Sequence, residues 1–273
     1  MCNLPIDESA FSVVSDANFL FYLLEGLVNA AENDSPDISR GEMFERFMDR
    51  LHRLLDGVAR RTTDGKFLIS SRVYEEEVRP TNSNSSLRKK LSCIETMCQR
   101  LNQKYELLEQ CLLHHLEIVP EPEEHVHFLM QHFHAELRPT DRDATLLLLA
   151  LKRSARTPTF LLTDDQDLID ACDHIIRQGQ VVIACGTFET KHLDKVKYMD
   201  FIKWAHDVCF IDSDQFTSCF NLRLAIEHDR LETVGPSGRR LKVKQFDKAT
   251  YAYRRSIIMK AQSNHPEPPP QAL

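Results

Sequence analysis

The sequence predicts an α/β protein in which helices flank a mostly parallel central sheet on both faces, giving three layers. Short apolar runs typical of buried strands alternate with longer helical patterns over residues 1–212, and that alternation indicates a parallel sheet covered by helices. Three of the predicted strands end in acidic residues, as expected where parallel strands open onto a common crevice. With 273 residues and 42% hydrophobic content, the chain can bury a full core, and its length suits one enlarged domain or one domain with an appendage.

The first part of the chain contains two predicted strands. Residues 12–15 form the first, and the apolar run after them predicts a helix from about residue 19. Apolar residues at helical spacing predict a second helix that ends near residue 60. After a glycine turn, residues 66–69 form the second strand, and a helix begins at Ser70 or Ser71.

The middle of the chain is predicted to be helical. Residues 87–116 carry one apolar stripe at helical spacing, and a further helix runs to Leu137 after prolines interrupt the chain. The helix that contains Asp143 is apolar nearly all round, which predicts burial, and Thr140 or Asp141 would cap it.

Three later apolar runs predict further strands. They cover residues 159–162, 181–184 and 208–211, and a helix that ends near residue 177 separates the first two. The last dozen residues are rich in proline, so 262–273 is predicted to be a disordered tail.

Composition favours a cytoplasmic protein with no membrane contact. The longest apolar run, 146–151, is too short to cross a bilayer, and the N-terminus lacks the order of a signal peptide. The eight cysteines are scattered without a C-x-x-C pair, which favours reduced thiols and argues against a zinc site built on cysteine. The net charge of −7 argues against a protein that coats nucleic acid over its whole surface.

Four acidic positions are the candidate functional residues. Asp16, the glutamates after Ile69 and the group ending in Asp167 follow predicted strands, and Asp143 opens the buried helix. The carboxyl ends of parallel strands face one crevice, so these acids are predicted to converge. Carboxylates that approach closely repel unless a cation lies among them, and oxygen ligands favour Mg²⁺ or Mn²⁺ over zinc. Taken singly, each acid fits a helix cap or a solvated face equally well.

These positions resemble the four motifs of the PIN-domain family, metal-dependent nucleases that mostly cleave RNA. In chain order, the similar stretches are Val13-Val14-Ser15-Asp16-Ala17-Asn18, Val73-Tyr74-Glu75-Glu76, Asp143-Ala144-Thr145-Leu146-Leu147 and Leu161-Leu162-Thr163-Asp164-Asp165-Gln166-Asp167. The segments between them, near 27–62 and 83–137, look like helical insertions into a compact family member. The resemblance implies a nuclease domain over 1–212, followed by a basic C-terminal extension over 213–261 and the tail.

The resemblance implies an endonuclease that hydrolyses phosphodiester bonds, with single-stranded RNA favoured over DNA. Its catalytic carboxylates would be Asp16, Glu76, Asp143 and Asp165. The ligands of one or two Mg²⁺ or Mn²⁺ ions would be the same four residues and Asp167.

Other residues near the motifs receive secondary roles from the same resemblance. Asn18 and Thr163 would orient ligands or water, and Asp164 would lie close to the metal. Val78 follows Glu77 as an apolar residue follows the family's second acid, so Glu77 is the alternate to Glu76. The alternative function is a catalytically silent PIN-like module that binds RNA or a partner protein, and a homodimer or an inhibitory protein partner fits either reading.

A basic segment near the C-terminus is the candidate nucleic-acid-binding region. Between residues 235 and 260, eight cations and three aromatic residues stand against a single acid, Asp247. Such a segment could follow a phosphate backbone and stack bases. The residues predicted to bind nucleic acid are Arg239, Arg240, Lys242, Lys244, Arg254 and Arg255. The alternative is a hairpin and surface helix whose cations are solvated or contact an acidic partner.

Overall fold

The computed structural model describes residues 11–33, 40–92 and 101–220. Its central sheet has five strands, all parallel, in the order β3-β2-β1-β4-β7. The strands are β1 (Ser12–Ser15), β2 (Phe67–Ser70), β3 (Leu116–Val119), β4 (Thr159–Leu162) and β7 (Leu193–Val196). The predicted α/β class with a mostly parallel sheet is confirmed.

A second, smaller sheet consists of β5 (Gln180–Ile183) and β6 (Gly186–Glu189), which pair antiparallel. The run predicted as a strand over 181–184 therefore forms a hairpin beside the main sheet and does not extend it. Gly179 adopts a φ of +71° at the end of the preceding helix, a left-handed conformation that glycine reaches without steric cost.

α-Helices surround the strands in the described ranges, joined by a few tighter or wider turns. Their bounds are α1 (Ala17–Asn33), α2 (Arg40–Ala59), α3 (Ser71–Val73), α4 (Ser86–Ser92), α5 (Leu101–His115), α6 (Glu123–Met130), α7 (Asp141–Ser154), α8 (Gln166–Gln178) and α9 (Tyr198–Asp207). A π-helical turn, Tyr74–Val78, continues α3, and a 3₁₀ turn covers Ala135–Leu137. None of the described helices is both long and apolar enough to cross a membrane.

The core is centred on α7 and the sheet. Residues 144–151 of α7 are all buried, and the helix contacts β1, β2 and β4. This confirms the burial predicted from a helix that is apolar nearly all round. On the other side, α1 packs against residues that follow the sheet: a Cβ on Gly26 would lie 2.7 Å from Sγ of Cys219. Residues 213–220, the start of the predicted extension, are helical and approach α1 closely there.

Several boundaries and elements differ from the sequence predictions. The stripe over 87–116 is divided between α4 and α5, with 93–100 outside the described residues, and β3 begins where the stripe ends. Segment 83–137 is therefore not a purely helical insertion, because it supplies an edge strand of the main sheet. The helix predicted to reach Leu137 ends at Met130.

The strand predicted over 208–211 is wrong. These residues form a turn after α9, in which Cys209 has a φ of +63°. Their apolar character has another cause: Ile211 is buried at 3% exposure, and Phe210 packs on Trp204 and against Gly57. The last strand of the sheet is β7, which the sequence did not reveal.

Candidate metal centre

The candidate site lies where the strand order of the sheet reverses. The chain moves outward from β1 through β2 to β3, then crosses to the other side of β1 with β4 and β7. In an open α/β sheet, the loops at such a reversal diverge and leave a crevice at the carboxyl ends of the strands. Asp16 follows β1 and Thr163 follows β4, and the Asp16 N–H donates to the carbonyl of Leu162 at 3.0 Å. The two acidic loops are therefore held side by side.

Asp16 is a buried carboxylate whose charge is disfavoured. The residue is 5% exposed, and burial is the main reason why its pKa is raised to about 7. Thr163 donates its hydroxyl to Oδ2 at 2.9 Å, and the backbone N–H of Asn18 also donates to the carboxylate, so both bonds favour ionisation. The charges of Asp143 and Asp165 oppose them and raise the pKa. A cation among these acids would stabilise the ionised form.

Asp143 stands in the first turn of α7, where it forms a reciprocal capping arrangement with Thr140. Oδ2 of Asp143 accepts from the Thr140 N–H at 3.3 Å and from its hydroxyl at 2.6 Å, and the Thr140 hydroxyl oxygen accepts from the Asp143 N–H at 3.3 Å. Burial raises the pKa of Asp143, the bonds from Thr140 lower it, and the charge of Asp165 raises it again. The prediction that Thr140 caps this helix is confirmed.

Asp165 is the N-cap of α8 and is linked to Asp16 through Thr163. Its Oδ1 accepts from the Asp167 N–H at 2.9 Å, and its own N–H donates to Oγ1 of Thr163 at 3.1 Å. Since the same Thr163 hydroxyl donates to Asp16, it fixes one loop against the other. The Thr163 hydroxyl thereby also orients the carboxylate of Asp16.

The neighbours of Asp165 lie differently. Asp164 is buried at 6% exposure, and its Oδ1 accepts from the Tyr198 N–H at 3.1 Å, which connects the β4 loop to the start of α9. Asp167 is exposed in the first turn of α8. Asp164 thus has a structural contact of its own, and Asp167 is more exposed than the half-buried Asp143 and Asp165.

All three converging acids stand at helix N-termini, because Asp16 precedes α1, Asp143 lies in the first turn of α7 and Asp165 caps α8. Helix N-termini stabilise negative charge by roughly 0.3–1 kcal/mol each at exposed positions. A carboxylate that serves only as a cap accepts N–H bonds and has its pKa lowered. The raised pKa of Asp16 is opposite in sign, so capping alone does not account for this residue.

The spacing of the acids is wider than that of a bound metal's ligands. In the described ranges, two groups of three side chains place their ligand atoms within 4.8 Å of one another, and both are centred on His115. Neither includes an acid of the cluster. Thr140 donates its hydrogen bonds to Oδ2 of Asp143, and the Asp167 N–H donates to Oδ1 of Asp165. The second carboxylate oxygen of each residue can therefore turn toward a shared cation.

The two candidates for the second acid, Glu76 and Glu77, form ion pairs with arginine side chains and do not join the aspartates. Glu76 is half exposed and lies 3.3 Å from Nε of Arg72 and 3.9 Å from Nε of Arg142. Glu77 is less exposed and pairs with Nη1 of Arg142. The acids that raise the pKa of Asp16 are Asp143 and Asp165, so the structure brings together three of the four predicted carboxylates.

Arg142 was not among the residues selected from the sequence. It precedes Asp143 and lowers the pKa of that carboxyl, while its guanidinium also reaches Glu76 and Glu77. It therefore joins the glutamate turn to the aspartate cluster. The sequence contained one sign of this role, a basic residue directly before the predicted metal ligand Asp143.

A cavity of about 580 Å³ opens beside the glutamate turn. It is lined by Glu76, Arg72, Arg138 and the hydroxyl-bearing pair Ser70 and Thr145, whose hydroxyl oxygens are 2.7 Å apart. Since this pair joins the end of β2 to α7, the cavity lies next to the crevice that holds the aspartates.

The predicted nucleic-acid-binding residues Arg239, Arg240, Lys242, Lys244, Arg254 and Arg255 lie outside the described residues, as does the tail over 262–273. The fold and the three aspartates define an open parallel α/β domain with an acidic crevice at the strand-order reversal. Comparison of the chain with family models, with curated proteins and with solved structures found no match.

Proposed function

We propose that this chain is a PIN-type nuclease that depends on Mg²⁺ or Mn²⁺ and cleaves single-stranded RNA internally, in the cytoplasm. The observation that supports the proposal is the convergence of Asp16, Asp143 and Asp165 at the strand-order reversal, where burial and mutual repulsion raise the pKa of Asp16 to about 7. Such an arrangement is costly for a metal-free fold, and a divalent cation bound by carboxylate oxygens would remove the cost.

The three aspartates would hold the ion, and Asp167 could join them by a rotation at the rim. A divalent ion held there would lower the pKa of a bound water and offset charge on the phosphoryl oxygens. Thr163 positions Asp16 by its hydroxyl bond, and the Asn18 N–H supports the ionised form. Arg72 and Arg138 line the adjoining cavity, where guanidinium groups could contact phosphates of a polyanion.

The ion pairs of the glutamate turn favour a second candidate, a PIN-like module that binds RNA without cleaving it. Glu76 and Glu77 contact Arg72 and Arg142, so the cluster holds three carboxylates where the resemblance implies four. In this alternative, Arg142 is the permanent counter-charge of the acidic crevice and no catalytic ion binds.

The test is incubation of the purified full chain with labelled single-stranded RNA and with DNA of the same sequence, in Mn²⁺, Mg²⁺ or EDTA. The nuclease proposal expects internal cleavage of RNA with Mn²⁺ or Mg²⁺, no cleavage in EDTA, and loss of cleavage in Asp16→Asn. The control is Asp170→Asn, which removes an exposed acid that accepts a bond from Gln166 on α8. RNA binding without cleavage in either metal would support the silent module, and equal activity of Asp16→Asn would refute a role for the cluster.

A further inference from the structure

Two histidines and a cysteine form a compact group at the opposite end of the sheet from the aspartates. His52 lies on α2, and Cys111 and His115 lie on α5, with His115 just before the first residue of β3. The three side chains place one ligand atom each within 4.8 Å of one another. His115 and Cys111 are 1% and 2% exposed, and His52 is half-buried.

The distances suit a tetrahedral metal ion. Nδ1 of His52 lies 3.1 Å from Nε2 of His115. Two nitrogens that each bind zinc at about 2.0–2.1 Å in a tetrahedron are roughly 3.3 Å apart. Cys111 and His115 are four residues apart on one helix, so their side chains lie on the same face.

The surroundings of His115 also resemble those of a metal ligand. Its second ring nitrogen, Nδ1, lies 3.6 Å from Oδ1 of Asp56, on the same helix as His52. Histidine ligands commonly donate their other ring N–H to a carboxylate, which fixes the tautomer and orients the ring. Burial lowers the pKa of His115 to about 4, so the ring is neutral at pH 7 and can offer a lone pair.

We propose that His52, Cys111 and His115 form a binding site for zinc, which would hold α2 against α5 and leave a fourth position for water. The donor set is two nitrogens and one sulfur, whereas the acidic crevice offers only oxygen. Such a set favours Zn²⁺ over Mg²⁺ or Mn²⁺. Burial raises the pKa of the Cys111 thiol to about 12, so the thiol must release its proton when the ion binds.

This site is independent of the proposed nuclease activity, and it runs against the sequence analysis, in which the scattered cysteines argued against a zinc site built on cysteine. The ring of His52 and that of His115 are contributed by residues 63 positions apart, and the cysteine has no C-x-x-C partner. The packing of α2 on α5 brings them together.

The experiment is a Co²⁺ titration of the full chain after removal of metal by chelation, followed by competition with Zn²⁺. We expect the intense visible bands of four-coordinate cobalt, a thiolate-to-cobalt charge-transfer band in the near ultraviolet, and displacement of both by Zn²⁺. Cys111→Ser should abolish the charge-transfer band. The matched control is Cys185→Ser, an exposed cysteine, which should leave the spectrum unchanged.

Two further variants keep the proposal testable if Cys111→Ser fails to fold. His52→Ala alters a half-buried side chain and should weaken Co²⁺ binding at least tenfold, while its circular dichroism stays that of the parent. Asp56→Asn should weaken binding roughly ten- to a hundredfold, the usual effect of losing a carboxylate that orients a histidine ligand. A parent spectrum without a thiolate band, or unchanged affinity in His52→Ala, would show that the group is a hydrogen-bonded packing contact and overturn the proposal.

Discussion

Replacement of Asp16 by asparagine should stabilise the metal-free protein relative to the parent, and by more at pH 8 than at pH 5. The pKa of this carboxyl is raised from 3.8 to about 7 in the folded protein, so between these values the folded state keeps a proton that the unfolded chain has lost. Stability of the parent therefore falls as pH rises through this window and is lowest above pH 7. The two pKa values differ by about three units, and each unit corresponds to about 1.4 kcal/mol, so the parent loses at most about 4 kcal/mol of its free energy of unfolding across the whole window. Asparagine cannot ionise, so the variant escapes this loss.

The assay is urea unfolding of parent and Asp16→Asn in EDTA at pH 5 and at pH 8. We expect the variant's gain to be greater by about 1–3 kcal/mol at the higher pH, because only the part of the window between pH 5 and pH 7 separates the two measurements. Asp170→Asn measures the effect of removing one exposed charge from α8. With excess Mn²⁺, the parent should gain stability by mass action and the variant should gain less. A gain of equal size at both pH values, or a variant less stable at pH 8, would refute the argument that Asp16 is a strained, buried carboxylate.

Three other substitutions test the contacts around the site. Thr163→Val removes the hydroxyl that donates to Asp16. It should lower the free energy of unfolding by about 1–3 kcal/mol at pH 8, as expected for a buried charge that loses a hydrogen bond, and should reduce cleavage. Thr163→Ser keeps the hydroxyl and should retain both the stability and the cleavage of the parent. Arg142→Ala should lower stability by no more than about 1 kcal/mol, since its glutamate partners are partly solvated. It should tighten Mn²⁺ binding, because a freed glutamate can then join the cluster, whereas the control Arg142→Lys keeps the positive charge and should not. Unchanged Mn²⁺ affinity in both variants would exclude the glutamates as ligands. The double variant Arg239→Ala and Arg240→Ala should weaken RNA binding across sequences and flatten its salt dependence without changing cleavage at saturating RNA, and an unchanged salt slope would assign the basic segment to another contact.

The strands that determine the site were predictable because they are central. Strands β1 and β4 are buried along their whole length, so their sequences are short apolar runs that end abruptly in polar residues. Strands β3 and β7 are at the edges and are only partly buried. The sequence Leu-Glu-Ile-Val of β3 extends the apolar stripe of α5, and Leu-Asp-Lys-Val of β7 lacks the alternation of apolar and polar residues that would indicate a strand. Edge strands of this length carry little pattern of their own.

The second acid could not be assigned from the sequence for a different reason. The three glutamates lie in the π-helical turn Tyr74–Val78, whose hydrogen bonds connect residues five apart instead of four. The direction of each side chain then departs from the 3.6-residue period on which a helical prediction depends. The direction of Glu76 and Glu77 is also set by Arg142 on another helix, a contact that local sequence does not contain.

Asp16, Asp143 and Asp165 were predictable together because each stands at a helix start, which local sequence marks clearly, and because strand order brings two of these starts into one crevice. Burial, together with repulsion from the other acids, makes the cluster unfavourable without a cation, as the raised pKa values of Asp16 and Asp143 indicate. Caps need only one helix and gain nothing from other acids nearby, whereas a cation gains from each additional carboxylate. This difference is the reason for proposing one cation shared by the three acids in place of three separate helix caps. If Mn²⁺ stabilises the parent but stabilises Asp143→Asn and Asp165→Asn much less, the three acids act as one site; equal stabilisation of all three proteins would return each acid to the role of a cap.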